Sequence, residues 1–233
     1  MRPYSLLDIT FKIYRRIRNI LVSAPFNFRH LPFRQAIHIP VLLHKVCLCG
    51  NKGKFRIDSD NIKYGMIHLG FWEVGIYPDD GMTIQNNGTI VFKGECNISN
   101  DCYLSVARNG ILTLGKNFEM NASKIGCHNS IVFEDWCSVG FGSVIVDTDF
   151  HRLSYEGEEH CNLGEIYFGK GVWLAMQCTV LKNTFVPDYC VVAARSLLAK
   201  HYDVPSHSLL CGVPAVLKRT GVYRNRENGN DKI

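Results

Sequence analysis

The sequence predicts an all-β fold wound as a parallel β-helix, and three observations carry that expectation. The first is a period of six. From Phe168 the chain divides into FGKGVW, LAMQCT, VLKNTF, VPDYCV, VAARSL and LAKHYD, which puts Phe168, Leu174, Val180, Val186, Val192 and Leu198 at the first position. An α-helix does not repeat apolar residues at strict sixes, and a lone strand does not hold a period over this length, whereas one flat side of a β-helix coil takes six residues. The second is the same spacing upstream, in Phe92, Ile98 and Leu104, in Leu114 and Met120, and in Phe133, Val139 and Ile145. The third is the fifth position, mostly small: Cys96, Cys102, Cys137, Val172, Cys178, Thr184, Cys190 and Ser196, with Phe118 and Tyr202 as larger members. RNGILT and GCHNS, near 108–113 and 126–130, read as small corner loops between blocks of the repeat.

The bulk properties agree with a folded chain. Of 233 residues, 46% are hydrophobic and 20% charged, which separates the protein from disordered sequences. No stretch approaches the roughly 18 apolar residues of a membrane span. The apolar residues near the N-terminus are interrupted by Lys12, Arg15, Arg16 and Arg18, so they do not read as an export signal. Neither close cysteine pair, Cys47/Cys49 or Cys96/Cys102, fits a CxxC zinc frame, and the expectation is reduced thiols in a cytoplasmic protein. Charge is uneven: residues 1–60 hold eleven Lys/Arg against three Asp/Glu, although the chain nets only +5. That argues against a nucleic-acid-binding body and assigns the basicity to an N-terminal arm.

The arm begins with SLLDITFKIYRRIRNILV, Ser5 to Val22, where Leu6, Ile9, Ile13, Ile17 and Ile20 recur at three and four. This predicts a helix with one apolar and one basic face, ended by Pro25. Two uses stay open: packing against an assembly of copies, or a peripheral membrane contact through residues 5–22. Residues 1–60 are expected to be this helix and a strand-like lead-in (IHIPVLL, then a GNKGK turn), 61–219 the β-helix, and 220–233 a polar, disordered tail.

DTDFH, Asp147 to His151, breaks the pattern. Continuing Phe133, Val139 and Ile145 by six lands on His151 where an aliphatic residue belongs, and the register resumes only at Phe168, at a spacing that is not a multiple of six. A polar loop, RLSYEGEEHCNLGE, must therefore leave the prism, with a His at its departure from a rigid scaffold. His128, His160, His201 and His207 read as surface residues and Asp147 as a corner residue. Trp173, taken alone, can be read as packing.

With the hexads, DTDFH, GKGVWLAMQCTVLK and CGVPAVLKR, residues 65 to 219 resemble the hexapeptide-repeat acyltransferases, most closely the maltose/galactoside-type sugar O-acetyltransferases and their surface-polysaccharide relatives. The resemblance implies a left-handed β-helix, a homotrimer with sites between prisms, acetyl-CoA as donor and no metal. It implies His151 as general base, with Asp149, Asn121 and Trp173 around the acceptor. It places Ala175, Met176 and Ala194 along the pantetheine arm, with Lys200 and Arg219 near the phosphates. An imidazole suits this work because its pKa lies near operating pH. Departures are Ala175 and Ala193 where the family has Gly, Ala199 for Thr, Val216 for a cation, and EEHCNLGE in place of a proline-rich loop tail.

The expected activity is acetyl transfer to a saccharide hydroxyl, free or lipid-linked, in a cytoplasmic or inner-surface enzyme. Alternatives are N-acetylation of an amino sugar on the same scaffold and a non-catalytic scaffold. A β-helix carbonic anhydrase would need three zinc-binding His, and the spacing of His128, His151 and His160 does not supply them on adjacent coils.

Overall fold

The computed structural model describes residues 6–50, 52–73, 75–77 and 80–224. Strands follow one another around a three-sided prism, one on each side per coil. The first coil holds β1 (Val41–Leu43), β2 (Val46–Cys49) and β3 (Lys54–Ile57), and the second β4 (Ile67–Phe71), β5 (Met82–Asn86) and β6 (Thr89–Phe92). The third is β7 (Cys96–Ser99), β8 (Cys102–Val106) and β9 (Ile111–Leu114); the fourth is β10 (Phe118–Met120), β11 (Lys124–Cys127) and β12 (Ser130–Phe133). In the fifth, β13 (Ser138–Val139) and β14 (Val144–Val146) precede an inserted hairpin, β15 (Leu153–Tyr155) and β16 (Glu158–His160), before β17 (Glu165–Phe168). The sixth comprises β18 (Trp173–Leu174), β19 (Thr179–Val180) and β20 (Thr184–Val186), and the last has β21 (Val191–Val192) and β22 (Leu197–Leu198). An antiparallel hairpin of β23 (Leu209–Gly212) and β24 (Ala215–Arg219) closes the far end.

Three parallel sheets result. Sheet A stacks β1, β4, β7, β10, β13, β18, β21 and β23; sheet B stacks β2, β5, β8, β11, β14, β19 and β22; sheet C stacks β3, β6, β9, β12, β17 and β20. Each sheet carries an inward ladder of first-position residues. Sheet A aligns Leu69, Ile98, Met120, Val139, Leu174, Val192 and Leu210. Sheet B aligns Ile84, Leu104, Ile125, Ile145, Val180 and Leu198. Sheet C aligns Ile57, Phe92, Leu114, Phe133, Phe168 and Val186. These residues are buried, and Phe133 and Phe168 stack with ring centroids 4.6 Å apart. The first-position residues read from the sequence are therefore the core. Its fifth-position cysteines, Cys96, Cys102, Cys137, Cys178 and Cys190, are buried as well. Burial pushes the Cys102 and Cys137 thiols up to about 12, so they stay protonated and unreactive.

The N-terminal region departs from expectation twice. Helix α1 (Leu6–His30) runs through Pro25 rather than stopping there. Pro25 faces solvent, so the backbone donor it lacks is missing on the side where water replaces it. The opposite face is clamped to the sheet edge. Asn27 Nδ2 donates to the Val41 carbonyl at 2.8 Å, Val41 N donates to Asn27 Oδ1 at 3.1 Å, and Leu43 N donates to Ser23 Oγ at 2.9 Å. The helix thus satisfies the free edge of β1, which would otherwise invite pairing with another chain. The second departure is that the prism begins at Val41, inside the segment read as lead-in. The turns around Lys45 and Gly50 break the sixes there and hide the coil from the period. A short α2 (Phe33–Ala36) joins α1 to β1. The predicted tail lies outside the described residues from 225 onward.

Candidate active site

The prism has two edges bordering sheet B, and the residues singled out by sequence divide between them. The BC edge carries the inserted loop. Its root is built on Asp147, fully buried at the end of β14, whose carboxylate accepts from the backbone amides of His128 at 2.6 Å and Asn129 at 2.8 Å. Two backbone bonds close the neck above it: Gly164 N donates to Asp147 O at 3.0 Å, and Asp149 N to Asn162 O at 2.9 Å. Asn129 Nδ2 adds a bond to the Gly164 carbonyl. Asp147, expected to be a corner residue, is one, and its carboxylate ties the loop root to the corner of the preceding coil.

Past that neck, Phe150 takes positive φ (60°), its amide donating to Thr148 Oγ1, and His151 follows with its amide on the Asp149 carbonyl at 2.7 Å. The imidazole is exposed and stands between the locked neck and the β15–β16 hairpin. The core slot that the period reserves for His151 is filled instead by Phe168 of β17, stacked on Phe133. Asp149 does not bond to the imidazole; its carboxylate meets Lys182 Nζ at 2.7 Å, and that ammonium also donates to the Cys161 carbonyl at 2.6 Å. Lys182 is a residue the sequence reading missed. Its signal was available, since the third position of VLKNTF falls one coil beyond the loop on the same edge. His128 lies edge-on to the Phe150 ring, with centroids 5.3 Å apart.

From the third coil onward the AB edge is a column of tight turns; in the second coil a longer connection runs from β4 to β5 and packs Tyr77 against Phe141. Asn121, Gly140, Ala175 and Ala193 stack in successive coils, each amide donating to the carbonyl of the coil beyond: Asn121 to Val139 at 3.1 Å, Gly140 to Leu174 at 2.8 Å, Ala175 to Val192 at 2.9 Å and Ala193 to Leu210 at 2.8 Å. A Cβ at Gly140 would come within 2.8–2.9 Å of the Ala175 and Leu174 backbone, so glycine is required at that level. Ala175, one level further along, is accommodated and half-buried. Met176 and Ala194 are exposed neighbours in adjacent coils, linked by Arg195 N donating to Met176 O at 3.0 Å. The three residues expected along a pantetheine arm therefore lie together, with Asn121 on the same edge.

Trp173 is on the outer face of sheet A, half-buried, beside Ser138 and Val191. Arg224 lies over its ring at 4.9 Å and donates to Ser138 Oγ at 2.8 Å. Lys200 is exposed past β22, its ammonium 5.4 Å from the Tyr202 ring, and Arg219 is exposed at the end of β24. Lys200 lies on the BC edge one coil beyond Lys182, where Phe185 N donates to its carbonyl, and Arg219 pairs with Leu209 at the end of sheet A away from the AB turns. Among the described residues, no three His, Cys, Asp or Glu side chains are gathered as a metal site requires.

No protein-family model and no curated protein matches the chain. Among solved structures it is similar to a maltose O-acetyltransferase from Clostridium difficile 630, at 18% identity over 56% of this chain and 68% of that one, with a TM-score of 0.43. The polysialic acid O-acetyltransferase OatWY is 17% identical over 82% of this chain and 92% of its own, at 0.42. AntD, an N-acyltransferase from Bacillus cereus, is 12% identical over 78% and 84%, at 0.35. What the chain does is read from its own residues.

Proposed function

We propose that the protein is an acyl-CoA-dependent O-acyltransferase that moves an acetyl group to a saccharide hydroxyl in surface-polysaccharide assembly. One observation carries the reading. A histidine is excluded from the hydrophobic ladder and presented, exposed, on a loop root locked by a buried carboxylate. Scaffolds that fix a side chain this way suit chemistry requiring orientation.

In the proposed reaction the His151 imidazole takes the proton of the acceptor hydroxyl as its oxygen attacks the thioester carbonyl. The carbon–sulfur bond then breaks, and the departing CoA thiolate recovers the proton from the imidazolium. Asp149, held by Lys182, is available to the acceptor, with Asn121 and Trp173 completing its surroundings. Ala175, Met176 and Ala194 line the donor's path, and Lys200 and Arg219 take its phosphates.

One chain cannot join these parts, because the BC and AB edges border sheet B on opposite sides. The proposed unit is a homotrimer in which the BC edge of one copy meets the AB edge of the next. The outward face of sheet B supports this: Gly126 and Val146 pair there, as do Val144 with Thr179 and Thr179 with Leu197, a small and largely uncharged surface.

The test is a thermal-shift titration with CoA and acetyl-CoA, followed by an acceptor screen of hydroxyl and amino sugars with His151→Ala as control. A ligand bound only by the folded state adds about 2.7 kcal/mol at a hundredfold excess over Kd. Stabilisation, transfer to a hydroxyl sugar, and a loss of about 100-fold or more in the variant are expected. No shift at millimolar ligand returns the protein to a scaffold role, and transfer to amines alone reassigns it as an N-acyltransferase.

A further inference from the structure

The second half of α1 has its chemistry inverted. The side against the prism is polar where it matters, with Ser23 and Asn27 buried beside Phe26. The side facing solvent is apolar: Tyr14, Ile17, Leu21 and Phe28 fall within one narrow stripe at helical spacing, and Leu21 is 70% exposed. The stripe continues off the helix through Phe33, 73% exposed with its ring 6.2 Å from that of Phe28, and through Ile37. Isolated exposed apolar residues need no explanation, but a continuous ridge of this kind marks a contact surface. Of the residues foreseen as an apolar face, Ile17 belongs to the ridge and Ile20 is half-buried, and the side chains of Leu6, Ile9 and Ile13 lie outside the described ones.

Charge decides what covers the ridge. Arg18, Arg29 and Arg34 are exposed along it, and from Ile9 to Pro40 the chain has no Asp or Glu. Beside the helix end a cleft of about 400 Å³ is lined by Arg29, His30, Lys54 and Arg56, with Gln35 anchored at its side through a 3.0 Å bond to the Ile57 carbonyl. A second copy docking the same patch face to face would set arginine against arginine. An apolar ridge framed by arginines, next to a basic cleft, is instead complementary to a layer with apolar chains beneath anionic phosphates.

We propose that α1, α2 and the adjoining cleft dock the protein on an anionic lipid bilayer, with Leu21, Phe28 and Phe33 entering the acyl boundary and the cleft receiving a lipid phosphate. No helix among the described residues is long and apolar enough to cross a membrane, and the contact proposed is a peripheral one. The surface goes beyond the transferase reading and does not depend on His151.

The experiment is flotation of the purified full chain with vesicles of phosphatidylcholine alone, or containing about 30% phosphatidylglycerol, at low and high salt. Binding to the anionic vesicles only, weakened by salt, is expected. The double variant Phe28→Ser/Phe33→Ser should lose it by more than about tenfold, because each ring gives up its burial in lipid. Arg29→Gln/Arg34→Gln should lose about fivefold per charge. Both should keep the melting temperature, since all four side chains are exposed. Equal binding to neutral and anionic vesicles would overturn the proposal. So would absence of vesicle binding, whether the phenylalanine variant changes the oligomeric state or inorganic phosphate alone stabilises the protein. Stabilisation by CoA, measured on the same samples, keeps failure here distinct from failure of the transferase reading.

Discussion

The AB and BC edges border the same sheet and are built in opposite ways. Along AB, the coils from the third onward turn the corner in a few residues and hand an amide to the next coil, so Asn121, Gly140, Ala175 and Ala193 form a straight rail of backbone; the second coil, with its longer β4–β5 connection, lies outside that rail. Along BC, the fifth coil opens at Asp147 and does not return until Gly164, and the opening holds His151, Asp149 and the Lys182 contact. Periodicity yields a smooth binding surface with few reactive side chains. Interrupted periodicity yields a reactive side chain, at the cost of a loop that must be pinned. Each edge thus has what the other lacks.

Mixing two damaged chains would break or sharpen this contrast most decisively. His151→Ala removes the base from BC, and Ala194→Trp, at an exposed position, obstructs AB without touching the core. Each variant alone should be inactive. Co-expressed with different tags and purified through both, mixed trimers should regain activity at about a third of their sites, where an intact BC edge meets an intact AB edge in C3 symmetry. Folded mixed assemblies with no recovered activity would place each site within one chain.

The pin on the BC edge gives the next largest effect. Asp147→Ala leaves the His128 and Asn129 amides without their acceptor inside a closed neck. Each abandoned buried donor costs about 1–3 kcal/mol, so the melting temperature should fall clearly and transfer should drop with it. Asp147→Asn keeps one acceptor and should fall between. A variant that retains full stability would mean the neck holds by its backbone bonds alone.

The unequal legibility of the two edges has the same origin. Phe168 to Leu198 could be read as a ladder because each inward slot recurs at six, and those residues are the core. Val41 to Ile57 could not, because turns of unequal length separate Leu43, Leu48 and Ile57, and a coil with irregular corners has no period. His151 was legible as a violation of the pattern. The edge on which Lys182 sits could be read from VLKNTF, but its pairing could not, because its partner Asp149 is 33 residues earlier and the two meet only once the loop folds back on the prism. The reach of α1 past Pro25 depended on Ser23 and Asn27 bonding to β1, a tertiary contact that local propensity does not contain.

The smallest effect tests whether the AB rail is as closed as its hydrogen bonds suggest. Cys178 sits beneath it, with Sγ 3.3 Å from the Ala175 carbonyl and 3.4 Å from that of Ala193, tying two levels of the rail to the core. Under native conditions with reductant removed, a thiol reagent should label exposed Cys47, Cys49 and Cys161 quickly and Cys211 more slowly. Cys96, Cys102, Cys127, Cys137, Cys178 and Cys190 should react only on unfolding. The sign of the pH effect follows from burial, which raises the pKa of these six thiols above their ordinary value of 9.0 and takes Cys102 and Cys137 to about 12. Unfolded thiols ionise first, so their contribution to stability is complete below pH 9 and lost as pH rises toward 12. Labelling of Cys178 at the rate of Cys161 in neutral buffer would mean that the AB turns open on their own, and the contrast between a rigid edge and an interrupted one would fail at its rigid end.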